Sequence, residues 1–217
     1  LDFSRVFARE HRFRLGVRVL SGNSDAEEVG HAYATLAAEL VSALAPVAEA
    51  KVAERFGRIS GGAFCVVAMG KLGSEEMSAT SDLDIIVIYD VDDPDALSDG
   101  DKSVFASQYF ARVSQQLIGA LTAPTTEGKL YEVDLRLRPS GNSGPIATRL
   151  ESFVSYQASE AWTWEHMALT RARVLTGPDA LKARVKAAID ETLRSPRDVQ
   201  KTAFDIADMR ARVEREF

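Results

Sequence analysis

A single cysteine, Cys65, stands among 217 residues. One thiol leaves no intrachain disulfide to form, which fits a reducing, cytoplasmic compartment. Its place inside an apolar run reads as a small core residue rather than a reactive group. No stretch approaches the roughly 18 consecutive apolar residues of a membrane span, and the first residues show no signal-peptide pattern, so no membrane role is expected. No block of lysine or arginine occurs and the net charge is −6. A general nucleic-acid grip needs a basic face and is therefore not expected, although an acidic protein can still hold a nucleotide where metal ions mediate. Repeats and low-complexity tracts are also lacking. The acid-rich run from Asp92 to Asp101 has neither the sixth-position glycine nor the twelfth-position glutamate of a calcium loop, and reads as solvated.

What remains is an ordinary globular composition, 46% hydrophobic and 27% charged. The chain opens at Leu1 without methionine and stops inside a charged helical pattern, so a piece of a longer protein is expected. Val29, Tyr33, Leu36, Leu40, Leu44 and Val47 recur at helical spacing, with Pro46 expected to kink or break that helix and a shorter one to follow over 47–56. Two short apolar runs, 63–69 and 83–89, read as strands buried on both faces. A short helix and loop over 71–80 lies between them. Ala106, Phe110, Val113, Leu117 and Ala120 mark a further helix. Residues 129–139 alternate strictly, with Tyr131, Val133, Leu135 and Leu137 on one side and Glu132, Asp134, Arg136 and Arg138 on the other. That pattern predicts a half-buried strand with a charged face. Helical stretches are expected over 152–156, 162–175, 178–193 and 199–217. The order predicts an α/β (α+β) core over 58–150, flanked by helical segments over 1–57 and 151–217 as one compact unit.

The stretch Ser81-Asp82-Leu83-Asp84 carries the first chemical signal. Residues two apart in extended backbone share a face, so the two carboxylates project together. At about 4 Å apart they repel by roughly 4 kcal/mol at an effective dielectric near 20. Protonation of one, pairing with arginine, or a divalent cation would each relieve this, and oxygen-only ligation favours magnesium or manganese. Alone, the pair reads equally as exposed strand-edge charge. Two features strengthen a metal role. Asp134 is a third acid on a polar strand face. Upstream, Gly70-Lys71-Leu72-Gly73-Ser74 is a glycine-punctuated strand-to-helix turn of the kind that offers N–H groups to phosphate. That turn is neither a Walker loop, since Leu72 follows Lys71, nor a dinucleotide fingerprint.

In combination these elements resemble the polymerase-beta-type nucleotidyltransferase superfamily, in which a Gly-Ser or Gly-Gly pair precedes Asp-x-Asp and a lone acid follows on a later strand. Longer stretches narrow the resemblance: Tyr131-Glu-Val-Asp-Leu-Arg-Leu-Arg-Pro-Ser-Gly141, Gly144-Pro145, Ala161-Trp-Thr-Trp-Glu-His166 and Arg171-Ala-Arg173. Together, over roughly residues 30 to 217, they resemble the glutamate-ammonia-ligase (glutamine synthetase) adenylyltransferases, and look more like the C-terminal, adenylylating copy of the two related domains in that family. The resemblance implies transfer of AMP from ATP to a tyrosine of glutamine synthetase. It also implies two magnesium ions (or manganese) bridged by Asp82 and Asp84, with Asp134 joining the one nearer the tyrosine oxygen. Gly73 and Ser74 are expected to hold the β and γ phosphates through backbone N–H and hydroxyl groups. Ser81 would orient the acids or close a turn. Arg136 and Arg138 would neutralise phosphate or lock the carboxylates, or else form an ion pair with Glu132. The family further implies the PII signalling protein and glutamine as effectors.

Other readings are the sister activity, phosphorolytic removal of AMP, an idle module binding nucleotide or effector, and a glycosyltransferase, for which too few strands lie upstream. Lys71 reads as a surface lysine within phosphate reach. Trp162, Leu169 and Arg173 share a helical stripe read as core. His166, Arg171 and Arg173 are expected to dock the charged loop, and His166 has no metal-ligand spacing.

Overall fold

The computed structural model describes residues 2–216. Two long helices come first, α1 (Asp2–Leu20) and α2 (Ala26–Phe56). Asp25 caps α2 by accepting the Glu28 N–H at 2.7 Å, and Gly57, at φ +72°, ends it. A strand β1 (Ala63–Ala68), a single helical turn α3 (Gly70–Gly73) and a strand β2 (Leu83–Asp90) form the centre. The helix α4 (Ala106–Thr122) leads to the short strands β3 (Val133–Asp134) and β4 (Ala147–Arg149). The helices α5 (Leu150–Ser159) and α6 (Thr163–Leu169), the strand β5 (Arg173–Thr176), and the helices α7 (Asp179–Arg194) and α8 (Val199–Glu216) follow. Phe217, included in the expected last helix, lies outside the described residues.

The sheet has the order β3-β2-β1-β5, with β4 also on β2. Strand β2 is antiparallel to β1, pairing Cys65 with Ile88 and Val67 with Ile86. Its other edge is parallel and shared: β3 pairs at the start, β4 at Val87–Tyr89. Parallel pairing demands a crossover, which α4 supplies. Side chains of β1 and β2 alternate between two apolar layers. Phe64, Val66, Ile85 and Val87 meet α2 and α4 on one face, while Cys65, Val67, Ile86 and Ile88 meet α5 and α7 on the other. This is why both strands are apolar on successive residues: each aliphatic side chain so buried contributes about 1.5–3 kcal/mol.

Three expectations change. The helix expected to kink or break at Pro46 is not broken there but runs on through it, with Leu44, Ala45, Ala48 and Val52 buried on either side. The strand over 129–139 shrinks to Val133–Asp134, since β4 occupies the rest of the β2 edge and the following residues turn, with the Arg138 N–H donating to the Leu135 carbonyl at 3.1 Å. The helical stretch over 162–175 contains a strand instead, β5, which covers the open edge of β1.

Candidate active site

The acids are delivered by the turn Ser78–Ser81 and the strand it feeds. Ser81 Oγ accepts the Ser78 N–H at 2.9 Å and lies 3.0 Å from Ser78 Oγ, so Ser81 closes this turn. Asp82 then stands exposed and Asp84, two residues on, is half-buried. The Leu83 N–H donates to the Glu132 carbonyl at 2.9 Å, and the parallel register sets Asp134 directly beside Asp84. Asp82, Asp84 and Asp134, from two separated segments, are thus carried to the same end of one strand pair. Burial, then the charge of Asp134, then that of Asp82 raise the pKa of Asp84 above its ordinary value, and Arg136 and Lys71 partly oppose this.

Asp134 behaves in the opposite way. Its Oδ2 accepts from Arg136 Nε at 2.8 Å and its Oδ1 from the Arg136 backbone N–H at 2.8 Å. The Arg136 side-chain hydrogen bond holds this carboxyl below its usual pKa. The expected ion pair of Glu132 with an arginine is therefore replaced: Glu132 pairs with Lys129 and Arg136 with Asp134. Among the described residues no three His, Cys, Asp or Glu side chains stand grouped as a ready cage for an ion. The donor set nevertheless suits a hard cation, being all carboxylate oxygen with Asp84 crowded by like charge. Arg136 is the internal cation in place, with 75% of its side chain exposed.

Gly70 and Gly73 fit this site for steric reasons. Gly70 adopts φ +51°, and a Cβ there would collide with Asp84 Oδ2. A Cβ on Gly73 would strike the Arg171 carbonyl oxygen. The Gly73 and Ser74 N–H groups already donate to the Met69 and Gly70 carbonyls at 2.8 and 3.1 Å, so in this conformation they do not offer themselves to phosphate. Ser74 Oγ bonds to Gly70 O and Glu76 Oε2, at 3.2 and 2.9 Å. It lines a cleft of about 1000 Å³ between the start of α2 and the loop after α3, lined also by Glu27, Glu28, Glu75 and Glu76 and separate from the aspartates.

Arg138 adds its charge to the lowering of the Asp134 pKa, but its hydrogen bonds go elsewhere. Its guanidinium donates to the carbonyls of Leu135 (2.8 Å), Asn142 and Gly144 (both 3.3 Å), stapling the loop over 139–145. Arg173 does dock as expected, donating to the Leu72 carbonyl at 3.1 Å and pairing with Glu75 at 3.3 Å. The His166 ring bonds to the Gln157 carbonyl. Trp162 is 71% exposed rather than core, because α6 begins only after it. The expected helical segment over 1–57 takes in α1, but none of its residues was singled out, and its Arg5, Arg9 and Arg12 reach the segment before β3. Their i, i+4, i+7 spacing, one helical face, was the available signal.

Compared with known proteins, residues 1–188 match the model of the family described as glutamate-ammonia ligase adenylyltransferase. The chain belongs to that family. Curated relatives named bifunctional glutamine synthetase adenylyltransferase/adenylyl-removing enzyme include one from Brucella suis, 50% identical over the whole chain. Another, from Xanthobacter autotrophicus, is 53% identical over 97% of the chain. The chain spans 22% and 21% of those relatives' own lengths. Among the described residues no helix is long and apolar enough to cross a membrane.

Proposed function

We propose that this part of the protein transfers AMP from ATP to a tyrosine of glutamine synthetase. The observation that carries the reading is the register of β2 with β3, which sets Asp134 against Asp84 two residues from Asp82, in a chain of the adenylyltransferase family.

On this reading Asp82, Asp84 and Asp134 hold magnesium, with manganese as a substitute. The bound cation supplies positive charge that quiets the mutual repulsion of the acids and screens the polyphosphate. To hold the cation Asp134 would give up Arg136, whose guanidinium, exposed and permanently charged, would then be available to phosphate. Lys71, whose charge already acts on Asp84, adds a second cation at the same end of the strand. The target phenol has a pKa near 10, so it needs a strongly electropositive place in which to lose its proton to solvent water. Its oxygen attacks the α-phosphorus, the bond to the β-phosphate bridging oxygen breaks, and pyrophosphate leaves. Gly70 lets the Asp84 carboxylate lie over the turn at its side, fixing the geometry in which this exchange occurs.

The test uses the intact protein, labelled ATP and unmodified glutamine synthetase. Label on the synthetase in the presence of magnesium, reduced at least a hundredfold by Asp84→Asn, supports the reading. Label that persists in Asp84→Asn sinks it. Phosphate-dependent release of AMP from pre-modified synthetase, with no forward transfer, assigns the site to removal instead, the other half of the relatives' printed name.

A further inference from the structure

The strand that presents Asp134 is two residues long, with two backbone pairs to β2. Strands that define their own register are usually longer, so something outside the sheet must hold this one. The structure offers a holder in α1. Arg5 is 2% exposed. It donates from Nε to the Gly128 carbonyl at 2.7 Å and from Nη2 to the Ala123 and Ala120 carbonyls at 2.7 and 3.1 Å. It thereby satisfies the last carbonyls of α4 at the negative end of that helix. Arg9 pairs with Glu127 at 3.0 Å. Arg12 donates to the Leu130 carbonyl at 2.6 Å and lays its guanidinium over the Tyr131 ring, 3.9 Å from the centroid. The Arg12 carbonyl in turn accepts from the Tyr33 hydroxyl at 3.1 Å, which ties the ladder to α2.

We propose that this arginine ladder is the positioning element for Asp134, with Arg12 its decisive member; the proposal rests on the reading of Asp134 as a member of the nucleotidyl-transfer site. Asp134 lies three positions beyond Tyr131, a reach of about 10 Å at most, and the last two residues of that stretch are the strand β3 itself. A shift of Tyr131 therefore passes to Glu132, whose carbonyl receives the Leu83 N–H, and to the carboxylate beside Asp84. Arg12 touches none of the three acids. Its influence runs through the backbone of Leu130 and Tyr131.

The experiment compares wild type, Arg12→Met, Arg12→Lys and Arg14→Ala in the intact protein. The last removes an exposed α1 arginine that pairs only within its own helix, with Glu10. Hydrogen exchange is followed at the Leu83 amide, against the β1–β2 amides as internal reference. Binding of manganese without nucleotide is followed by electron paramagnetic resonance, and kcat and KM for ATP are measured separately. Arg12→Met is expected to speed Leu83 exchange at least tenfold with the reference amides unchanged. It should weaken manganese binding about tenfold, and lower kcat with KM for ATP within about twofold. Arg12→Lys should recover part of each loss, and Arg14→Ala should match wild type throughout. Leu83 exchange at the wild-type rate in Arg12→Met overturns the proposal. Altered exchange with manganese binding unchanged, where Asp84→Asn does abolish that binding, also overturns it and leaves the site assignment standing. If Asp84→Asn binds manganese like wild type, the site assignment falls and the proposal with it. Should Arg12→Met not fold, Arg12→Lys carries the same comparison, since it keeps the charge and loses the planar fork.

Discussion

Asp84 and Asp134 are neighbours in register, yet their carboxyls are pushed in opposite directions. The difference lies in what each touches: Asp134 has an arginine fork against it, and Asp84 has burial and two other acids. The linkage follows from these directions. A carboxyl raised above its ordinary 3.8 holds its proton more firmly when folded than when unfolded. Its contribution to stability is thus present below pH 3.8 and is lost as pH rises through the raised value. Asp134 has the reverse sign: its stabilisation is present above pH 3.8 and fades only as pH falls through its lowered value. Asp84→Asn should therefore be more stable than wild type at neutral pH, with the gap closing below about pH 3.8. Melting curves across pH 3 to 8 check this, each kcal/mol of relieved repulsion appearing as about 2–4 °C in Tm. A variant that loses activity while gaining stability marks a group kept for chemistry rather than for folding.

At the level of elements, what could be read in advance divides along clear physical lines. β1, β2, α4 and α7 were legible because their apolar periodicities are complete within the element. Asp82 and Asp84 were legible because a two-residue spacing is itself a geometry. β4 and β5 were not, since three or four residues of mixed polarity become strand only when an edge of β2 or β1 is there to pair with. The alternation from Tyr131 to Arg138 is real, but a two-residue strand is all the shared edge of β2 admits. Arg138 was expected on Asp134's face, and the turn at Leu135–Arg138 brings its guanidinium to the Leu135 carbonyl. Helix α2 teaches the converse. Proline forbids one hydrogen bond, to the Ser42 carbonyl, but burial before and after it outweighs that loss. Pro46 is exposed, so Pro46→Ala should restore the bond without disturbing the core. A gain of about 1–3 kcal/mol is expected, read as a shifted denaturant midpoint at unchanged slope.

For the whole molecule, the late strand β5 is the feature that makes the flanks and centre interdependent. It pairs with β1, and α7 behind it brings Leu181, Val185 and Ile189 to the second apolar layer. A chain ending at residue 160 should lose both the edge strand and that layer, and give a broad, non-cooperative melt with dye-binding apolar surface. One that keeps residues 1–195 of the described fold omits α8, whose described side chains include none that is buried, and should keep a single sharp transition. Calorimetry on the two truncations separates these outcomes. During translation the same arrangement imposes an order of events. Val66 is made early but waits for Thr176 to leave the ribosome before its second neighbour exists. Until then a nascent chain displays an open apolar edge, the kind of surface that chaperones recognise and that crowded polysomes can join to one another.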